Sequence, residues 1–175
     1  VRLDENCFDR ITIQDKEYPY AMGYDNYVET LAQFFPSERE NIRRYITDIQ
    51  RIAHASPLYN LQEINQNTFI ESDFIKKCVG EYIQSFTSNK ELQNVLAATN
   101  TLYAGYPDKT PVYVHALTLH SYLKSSWRIV GGSHVIVNSL LNSIRANGGE
   151  CFSNHEIAKI NCNSEKAVSV ETTSG

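Results

Sequence analysis

Two pairs of glycines near the end of the chain enclose a helical pattern, and this order constrains the fold more than any other feature. Gly131-Gly132 directly precede Ser133, a residue type that caps helix N-termini, and Gly148 suits a left-handed C-terminal cap. The residues after Gly149 are typical of two strands that meet at Asn163-Ser164-Glu165. Between the glycine pairs, helical spacing predicts an inward apolar face made of Val137, Leu140, Leu141 and Ile144.

The middle of the chain carries the clearest amphipathic pattern. Ser37 and Glu40 have the spacing of a capping box at the start of a helix. The apolar stripe of that helix consists of Ile42, Tyr45, Ile46, Ile49, Ile52 and Ala53. The opposite face carries Arg43, Arg44, Asp48 and Arg51, which we interpret as a solvated face. This stretch is therefore predicted to be a surface helix that packs on the core.

Weaker patterns predict further elements on both sides of this helix. Residues Cys7–Met22 indicate a hairpin. Asp25 is predicted to cap the helix after Gly23, and residues Ser56–Thr68 are predicted to form a loop. One helix is predicted from Phe74 to Phe86 with Cys78 in its apolar face, and another from Asn89 to Tyr103. Thr110 and Pro111 are expected to start a helix buried on several sides.

This distribution of elements predicts an α+β fold. Helices dominate the middle and β-structure lies at both ends, so we expect a helical region packed on a partial, mostly antiparallel or mixed β-sheet. At 175 residues the chain is long enough for one or two domains with a core. Eleven tyrosines and seven phenylalanines suit either an apolar pocket or a helical core.

Several classes of site are disfavoured by the residues present. The net charge of −4 argues against a nucleic-acid partner. His115 and His120 are five residues apart, about 140° around a helix, so no metal site is expected and the histidines are assigned to the core edge or the surface. GxSxG is absent, and the four cysteines lack metal-ligand spacing. Scattered cysteines and the lack of a long apolar run favour reduced thiols in a cytoplasmic protein.

Phosphate binding is the remaining question. No two glycines are spaced two apart, so the dinucleotide fingerprint GxGxxG is absent, as is a P-loop. Gly131-Gly132 before a helix form either a tight turn or a place where backbone N–H groups meet an anion. The sequence leaves both interpretations open.

The order of glycine pair, serine, helix, second glycine pair and strand in GGSHVIVNSLLNSIRANGGECFSNHEIAKI resembles a segment of the phytoene desaturase, carotenoid isomerase and retinol saturase flavoproteins. Upstream, YPDKTPVYVHALTLHSYLKSSW and LAQFFPSERENIRRYI are similar to the retinol saturase branch in particular. The resemblance covers most of the chain and is strongest from Thr110 onward. The chain departs from the family where Trp127-Arg128-Ile129-Val130 replace a tyrosine-proline step.

The resemblance implies a middle portion of a larger two-domain flavoprotein that uses FAD. Residues 1–130 would then form a substrate-side domain, and residues 131–175 part of the FAD-binding domain. The family pattern implies that Ile157 meets the adenine through its backbone and that Gly131 and Gly132 approach the flavin region. It places Trp127 beside the substrate, and it identifies no catalytic residue.

The activity implied is FAD-dependent redox chemistry on carbon–carbon double bonds of a polyene, retinoid or carotenoid-like lipid. Because the dinucleotide fingerprint is missing, we expect the fragment alone to retain no FAD and to be inactive. Further expectations are a peripheral membrane contact of the longer protein and a homodimer through the face left open. The alternatives are a module that binds an apolar ligand, and an interaction module, both without redox activity.

Overall fold

A computed structural model describes residues 1–57, 59–61 and 73–174, and the chain divides into two compact units, Val1–Arg128 and Ile129–Gly175. The first unit begins with strands β1 (Asp9–Ile13) and β2 (Lys16–Tyr20), followed by helices α1 (Tyr24–Ala32), α2 (Arg39–His54), α3 (Asp73–Lys76), α4 (Val79–Gln84), α5 (Lys90–Ala97) and α6 (Val112–Lys124). Short 3-10 helices span Pro36–Glu38 and Ala98–Tyr103. The second unit contains α7 (His134–Ala146), β3 (Ile157–Cys162) and β4 (Ala167–Thr172).

The predicted α+β class is confirmed, and the described residues of each unit form one antiparallel two-stranded sheet. In the first unit, β1 and β2 pair in the register Ile11↔Tyr18, and the hairpin turns at Gln14, whose φ is 54°. In the second unit, β3 and β4 pair in the register Ile160↔Val170, with the turn at the predicted residues. The predicted loop Ser56–Thr68 lies largely outside the described residues.

The core of the first unit is built from α2 and the elements around it. All six residues of the predicted α2 stripe are buried, which confirms that prediction. The aromatic content serves this core: Tyr18 stacks on Phe35 at 5.6 Å between ring centroids, and Tyr20 meets Tyr27 edge-on at 5.1 Å. The hairpin is thereby fixed to the helices through its inward tyrosines.

Helix α2 starts later than the capping box predicts. Pro36 opens a 3-10 turn that runs to Glu38, so α2 begins at Arg39 with Glu38 at its N-cap position and no side-chain cap bond. The capping box of Ser37 and Glu40 is therefore wrong. The fixed φ of proline favours the tight turn that displaces the start of the helix.

Asp25 also does not cap its helix. Gly23 occupies the N-cap position of α1, and Asp25 lies in the first turn, where it pairs with Arg43 at 2.9 Å. The helix dipole favours an acidic residue in the first turn of a helix. This explains the position of Asp25, although Asp25 does not cap the helix.

The predicted single helix from Phe74 to Phe86 is interrupted. Cys78 is extended, with φ −84° and ψ 151°, and forms a β-bridge with Pro111. Two backbone bonds fix this crossing: Val79 N–H donates to Thr110 O at 2.9 Å, and Val112 N–H donates to Lys77 O at 3.1 Å. As a result α3 and α4 are separate, Cys78 is half-buried, and Pro111 rather than Thr110 is the N-cap residue of α6.

The predicted inward face of α7 is not inward. The exposed fractions of Val137 and Leu140 are 54% and 60%, Ile144 is also exposed, and Leu141 is half-buried. The physical reason is that the unit Ile129–Gly175 contains one helix and one hairpin, too few layers to bury an apolar face.

Candidate functional site

The first glycine pair forms a turn that leads into α7. Gly131 and Gly132 have φ values of +87° and +92°, a conformation that glycine adopts without steric cost. Gly132 N–H donates to Ile129 O at 3.2 Å and closes the turn. Ser133 occupies the N-cap position as predicted, but its backbone is helical and its side chain makes no cap bond. The turn is therefore held by the backbone alone.

The second glycine pair ends α7 with a complete set of hydrogen bonds. Gly148, at φ +78°, donates its N–H to Arg145 O at 3.0 Å, and Gly149 donates to Ile144 O at 2.9 Å. These are the two bonds of a Schellman motif, so the left-handed cap predicted at Gly148 is confirmed. An added Cβ at Gly149 would lie 2.8 Å from Ile144 Cγ2, which also requires glycine there.

The start of α7 has two of its first backbone N–H groups already hydrogen-bonded within the chain. Val135 N–H and Ile136 N–H already donate to Gly132 O and Ser133 O, at 3.2 and 3.1 Å, so these two amides are not free for a phosphate. The two glycines, in contrast, present backbone without side chains. This arrangement suits close approach of a flat ring system to the main chain, as glycine permits.

Ile157 and Trp127 lie in different units. Ile157 is the first residue of β3, pairs with Thr172, and has a side chain 47% exposed. It shares the second unit with Gly131 and Gly132. Trp127 belongs to the first unit, where it forms a β-bridge with Arg2 and leaves 66% of its surface exposed. An exposed tryptophan is available for contact with a ligand or another surface.

A hydrogen-bonded network around His115 was not predicted by the sequence pattern. Its Nε2 lies 2.5 Å from the Tyr45 hydroxyl, and its Nδ1 lies 3.1 Å from the Tyr103 hydroxyl. Tyr103 donates its own proton to Asn100 Oδ1, and the Thr99 hydroxyl also lies 3.3 Å from Nδ1. Hydroxyl groups therefore flank both ring nitrogens, and each can donate to or accept from a neutral imidazole.

Burial is the cause of the unusual protonation of His115. The residue is completely buried, and burial lowers its pKa to about 4. The charged groups of α2 lie on the solvated face, away from the stripe that contains Tyr45. The assignment of His115 to the core edge or surface is wrong, because neighbours from α2 and the segment before α6 enclose it.

His120 is the second buried histidine, and it lies among aromatic rings. Its Nδ1 is 3.0 Å from the Tyr24 hydroxyl, and its ring meets those of His54 and Tyr59 edge-on at 5.7 and 5.6 Å. Burial first, and then the charges of His54 and Lys124, lower its pKa. The sequence placed it wrongly for the same reason as His115.

The described ranges contain neither a metal-ion cluster nor a membrane-spanning helix. Residues 1–57, 59–61 and 73–174 hold no cluster of three or more histidine, cysteine, aspartate or glutamate side chains suited to a metal ion. None of the helices in those ranges combines the length and apolar character that crossing a membrane requires.

Comparison with known proteins identifies similar enzymes. No protein-family model matches the chain. Curated relatives include proteins named all-trans-retinol 13,14-reductase. The relative from Macaca fascicularis is 29% identical over 148 residues, covering 77% of this chain and 24% of the relative. The relative from Homo sapiens is 26% identical over 148 residues, which again cover 77% of this chain and 24% of the relative. The one from Danio rerio is 23% identical over 191 residues, 98% of this chain and 31% of the relative.

These similarities confirm the resemblance to the retinol saturase branch. The chain spans about a quarter to a third of the length of the relatives it matches. The similarity to a retinoid oxidoreductase therefore concerns a segment of such a protein.

Proposed function

We propose that the chain is part of an FAD-dependent oxidoreductase that acts on carbon–carbon double bonds of a retinoid or carotenoid-like lipid. The observation that carries the proposal is the similarity, over 77 to 98% of this chain, to proteins named as reductases of all-trans-retinol. The absence of an acid–base constellation among the motifs of the sequence agrees with a reaction in which the cofactor carries the electrons.

In this proposal the second unit contributes to the cofactor-binding surface. Gly131 and Gly132 would bring main chain against the flavin region, and the backbone of Ile157 would contact the adenine. FAD, when bound, supplies a ring system that accepts or donates a hydride. The chain's own residues would position that group and exclude water, and the positive φ of both glycines supports a close approach.

The first unit would lie on the substrate side. Trp127 is the aromatic residue that we assign to the substrate, as part of an apolar wall, and its exposure supports this role. The assignment of residues 1–130 to a substrate-side domain and 131–175 to part of an FAD-binding domain is part of the same proposal.

The apolar face of α7 supports a packing role for this helix in the longer protein. Val137, Leu140 and Ile144 are exposed and would be covered by more of the flavin domain. A homodimer through this face is the competing way to cover it. We further propose that the longer protein is cytoplasmic and contacts a membrane at its surface, because a polyene substrate partitions into lipid.

The experiment is the flavin content of the full-length protein that carries this segment, compared with two glycine variants. Gly132→Ala and Gly148→Ala each place a side chain at positive φ, with strain of about 1–2 kcal/mol. At neither position would the added Cβ meet a heavy atom closer than 3.4 Å, so the two are matched in local strain. We expect the protein to be yellow with stoichiometric FAD and to reduce all-trans-retinol.

Gly132→Ala is expected to lower flavin occupancy more than Gly148→Ala at equal thermal stability. Equal flavin loss in both variants would contradict the assignment of Gly132 to the cofactor surface. A colourless, folded full-length protein that FAD cannot reconstitute would refute the flavoprotein proposal and favour an apolar-ligand module. The isolated 175-residue chain is expected to bind FAD weakly or not at all.

A further inference from the structure

The first unit contains a cavity that the proposed flavin chemistry does not use. It has a volume of about 560 Å³, within the range of ligand pockets, and lies between α2, α3, α4 and the start of α6. A neighbouring cavity of about 550 Å³ follows the solvated face of α2 and shares Asp48, Arg51 and Phe86 with the first. We refer to the first as the α2–α4 cavity.

The wall of the α2–α4 cavity includes an apolar part. Ile52 and Val112 are almost completely buried, and Phe74 and Phe86 are half-buried. These side chains come from three different helices and the segment after α4, so tertiary packing fixes their positions. Such a surface can bury the apolar body of a ligand, at about 25 cal/mol for each Å² removed from water.

Two hydrogen bonds to Asp48 position the guanidinium of Arg51 on the same wall. The buried Tyr82 hydroxyl donates to Asp48 Oδ2 at 3.1 Å, and Arg51 Nε donates to Asp48 Oδ1 at 2.7 Å. Arg51 donates to Asp48 through its Nε only. Within the described residues its terminal nitrogens Nη1 and Nη2 have no hydrogen-bond partner. The Arg51 side chain is 63% exposed, so its two terminal nitrogens are open to solvent and can bind a carboxylate or phosphate.

Two lysines add charge to this wall. Lys76 is exposed and Lys77 is half-buried, and neither forms an ion pair with any residue of the described ranges. Glu81 also lines the cavity without an ion pair and is exposed to solvent, as Arg51 and Lys76 are. The wall therefore carries three cations against Glu81 and the paired Asp48. Lysine side chains bury their apolar stems and keep the ammonium in water, so both charged ends can reach an incoming anion.

We propose that the α2–α4 cavity binds an amphipathic anion, a molecule with one carboxylate or phosphate group and an apolar chain. Arg51, Lys76 and Lys77 would bind the anionic group, and Ile52, Phe86 and Val112 would contact the chain. A neutral lipid would leave the cations unpaired, and a small inorganic anion would leave the apolar wall unused. The concave shape favours a free amphiphile over the flat surface of a membrane. This inference does not depend on the proposed flavin chemistry.

The test is calorimetric titration of the 175-residue chain with laurate below its micelle concentration. Acetate and inorganic phosphate supply the anionic group alone, and dodecanol supplies the chain alone. The variant Lys76→Met/Lys77→Met removes both charges and keeps apolar stems, and the backbone bond from Val112 to Lys77 O is unaffected. Lys90→Met/Lys109→Met is the matched control, because it changes the net charge equally outside the cavity lining.

We expect saturable laurate binding to one site, weakened about tenfold or more by Lys76→Met/Lys77→Met and unchanged in the control. Equal binding to both double variants would overturn the proposal, as would dodecanol binding as tightly as laurate. Phosphate or acetate binding as tightly as laurate would show a charge site without a chain. The last measurement is binding of the chain to vesicles of phosphatidylcholine and phosphatidylglycerol. Vesicle binding without laurate binding would identify a membrane surface as the source of the anion and would refute the free-amphiphile site.

Discussion

Protonation of His115 should make the stability of the first unit depend on pH. The folded imidazole has a pKa of about 4, against an ordinary value of 6.5, because it is completely buried. Between pH 4 and pH 6.5, His115 therefore binds a proton in the unfolded chain but stays neutral in the folded chain. Stability is fully present above pH 6.5 and is lost as pH falls towards 4. The pKa difference corresponds to about 3 kcal/mol of the free energy of unfolding.

The assay is urea unfolding of the wild type and of His115→Gln between pH 7.5 and 4.5, followed by near-ultraviolet circular dichroism. All eleven tyrosines and the single tryptophan lie in the first unit, so the signal reports that unit. Glutamine keeps an acceptor for the Tyr45 hydroxyl but does not titrate. Most of the 3 kcal/mol should be lost by pH 4.5 in the wild type, and this part of the loss should be missing in the variant.

The difference between the two proteins isolates His115 from other groups. His120, whose pKa burial also lowers, contributes with the same sign in both proteins and cancels. His134→Gln, at an exposed position in the second unit, is the control and should keep the full wild-type dependence. The reasoning is refuted if His115→Gln loses as much stability as the wild type over this range.

Two further predictions concern local hydrogen bonds and are measured by the midpoint of urea unfolding at pH 7.5. Asn89 Oδ1 accepts from Leu92 N–H at 3.1 Å at the start of α5, so Asn89→Ala should cost about 1 kcal/mol. Ser133 lies in the second unit, so its variant is followed by far-ultraviolet circular dichroism, which also reports the helix α7. Ser133→Ala should cost almost nothing, because Ser133 makes no cap bond, and an equal loss in both variants would contradict this view. The Tyr27 hydroxyl is buried beside Tyr20 and, within the described residues, makes no hydrogen bond of regular geometry. Tyr27→Phe should therefore be neutral or stabilising. Tyr45→Phe removes the bond to His115 and should cost about 1–3 kcal/mol, so a larger loss in Tyr27→Phe would refute the assignment.

Periodic patterns predicted the helices whose packing is local in sequence. The α2 stripe could be predicted because one apolar face repeats over the 16 residues of the helix, and all its members are buried. The left-handed cap at Gly148 could be predicted because it depends on a few adjacent residues. The hairpins could be predicted from turn residues between short apolar runs.

The errors arise where distant residues decide the structure. The break at Lys77 and Cys78 depends on a bridge to Pro111, about thirty residues away, which no local pattern contains. Likewise, the spacing of His115 and His120 shows that they do not share a helix face, but it does not show which groups from other helices surround each. Tyr45 and Tyr24 supply those groups. A buried histidine can be predicted from sequence only when its partners are known.

The two glycine pairs around α7 differ in how fully local structure explains them. Gly148 and Gly149 complete a Schellman motif and prevent a clash with Ile144, so helix termination accounts for both. Gly131 and Gly132 both have positive φ, yet Ser133 makes no cap bond, and one backbone bond closes the turn. Gly131 is the third residue of the turn that Gly132 N–H closes, where positive φ is typical of a type II turn, whereas Gly132 follows that turn with a positive φ of its own. Close approach of a ligand to the main chain requires glycine at such a position, which is why the comparison of Gly132→Ala with Gly148→Ala separates a cofactor role from a structural one.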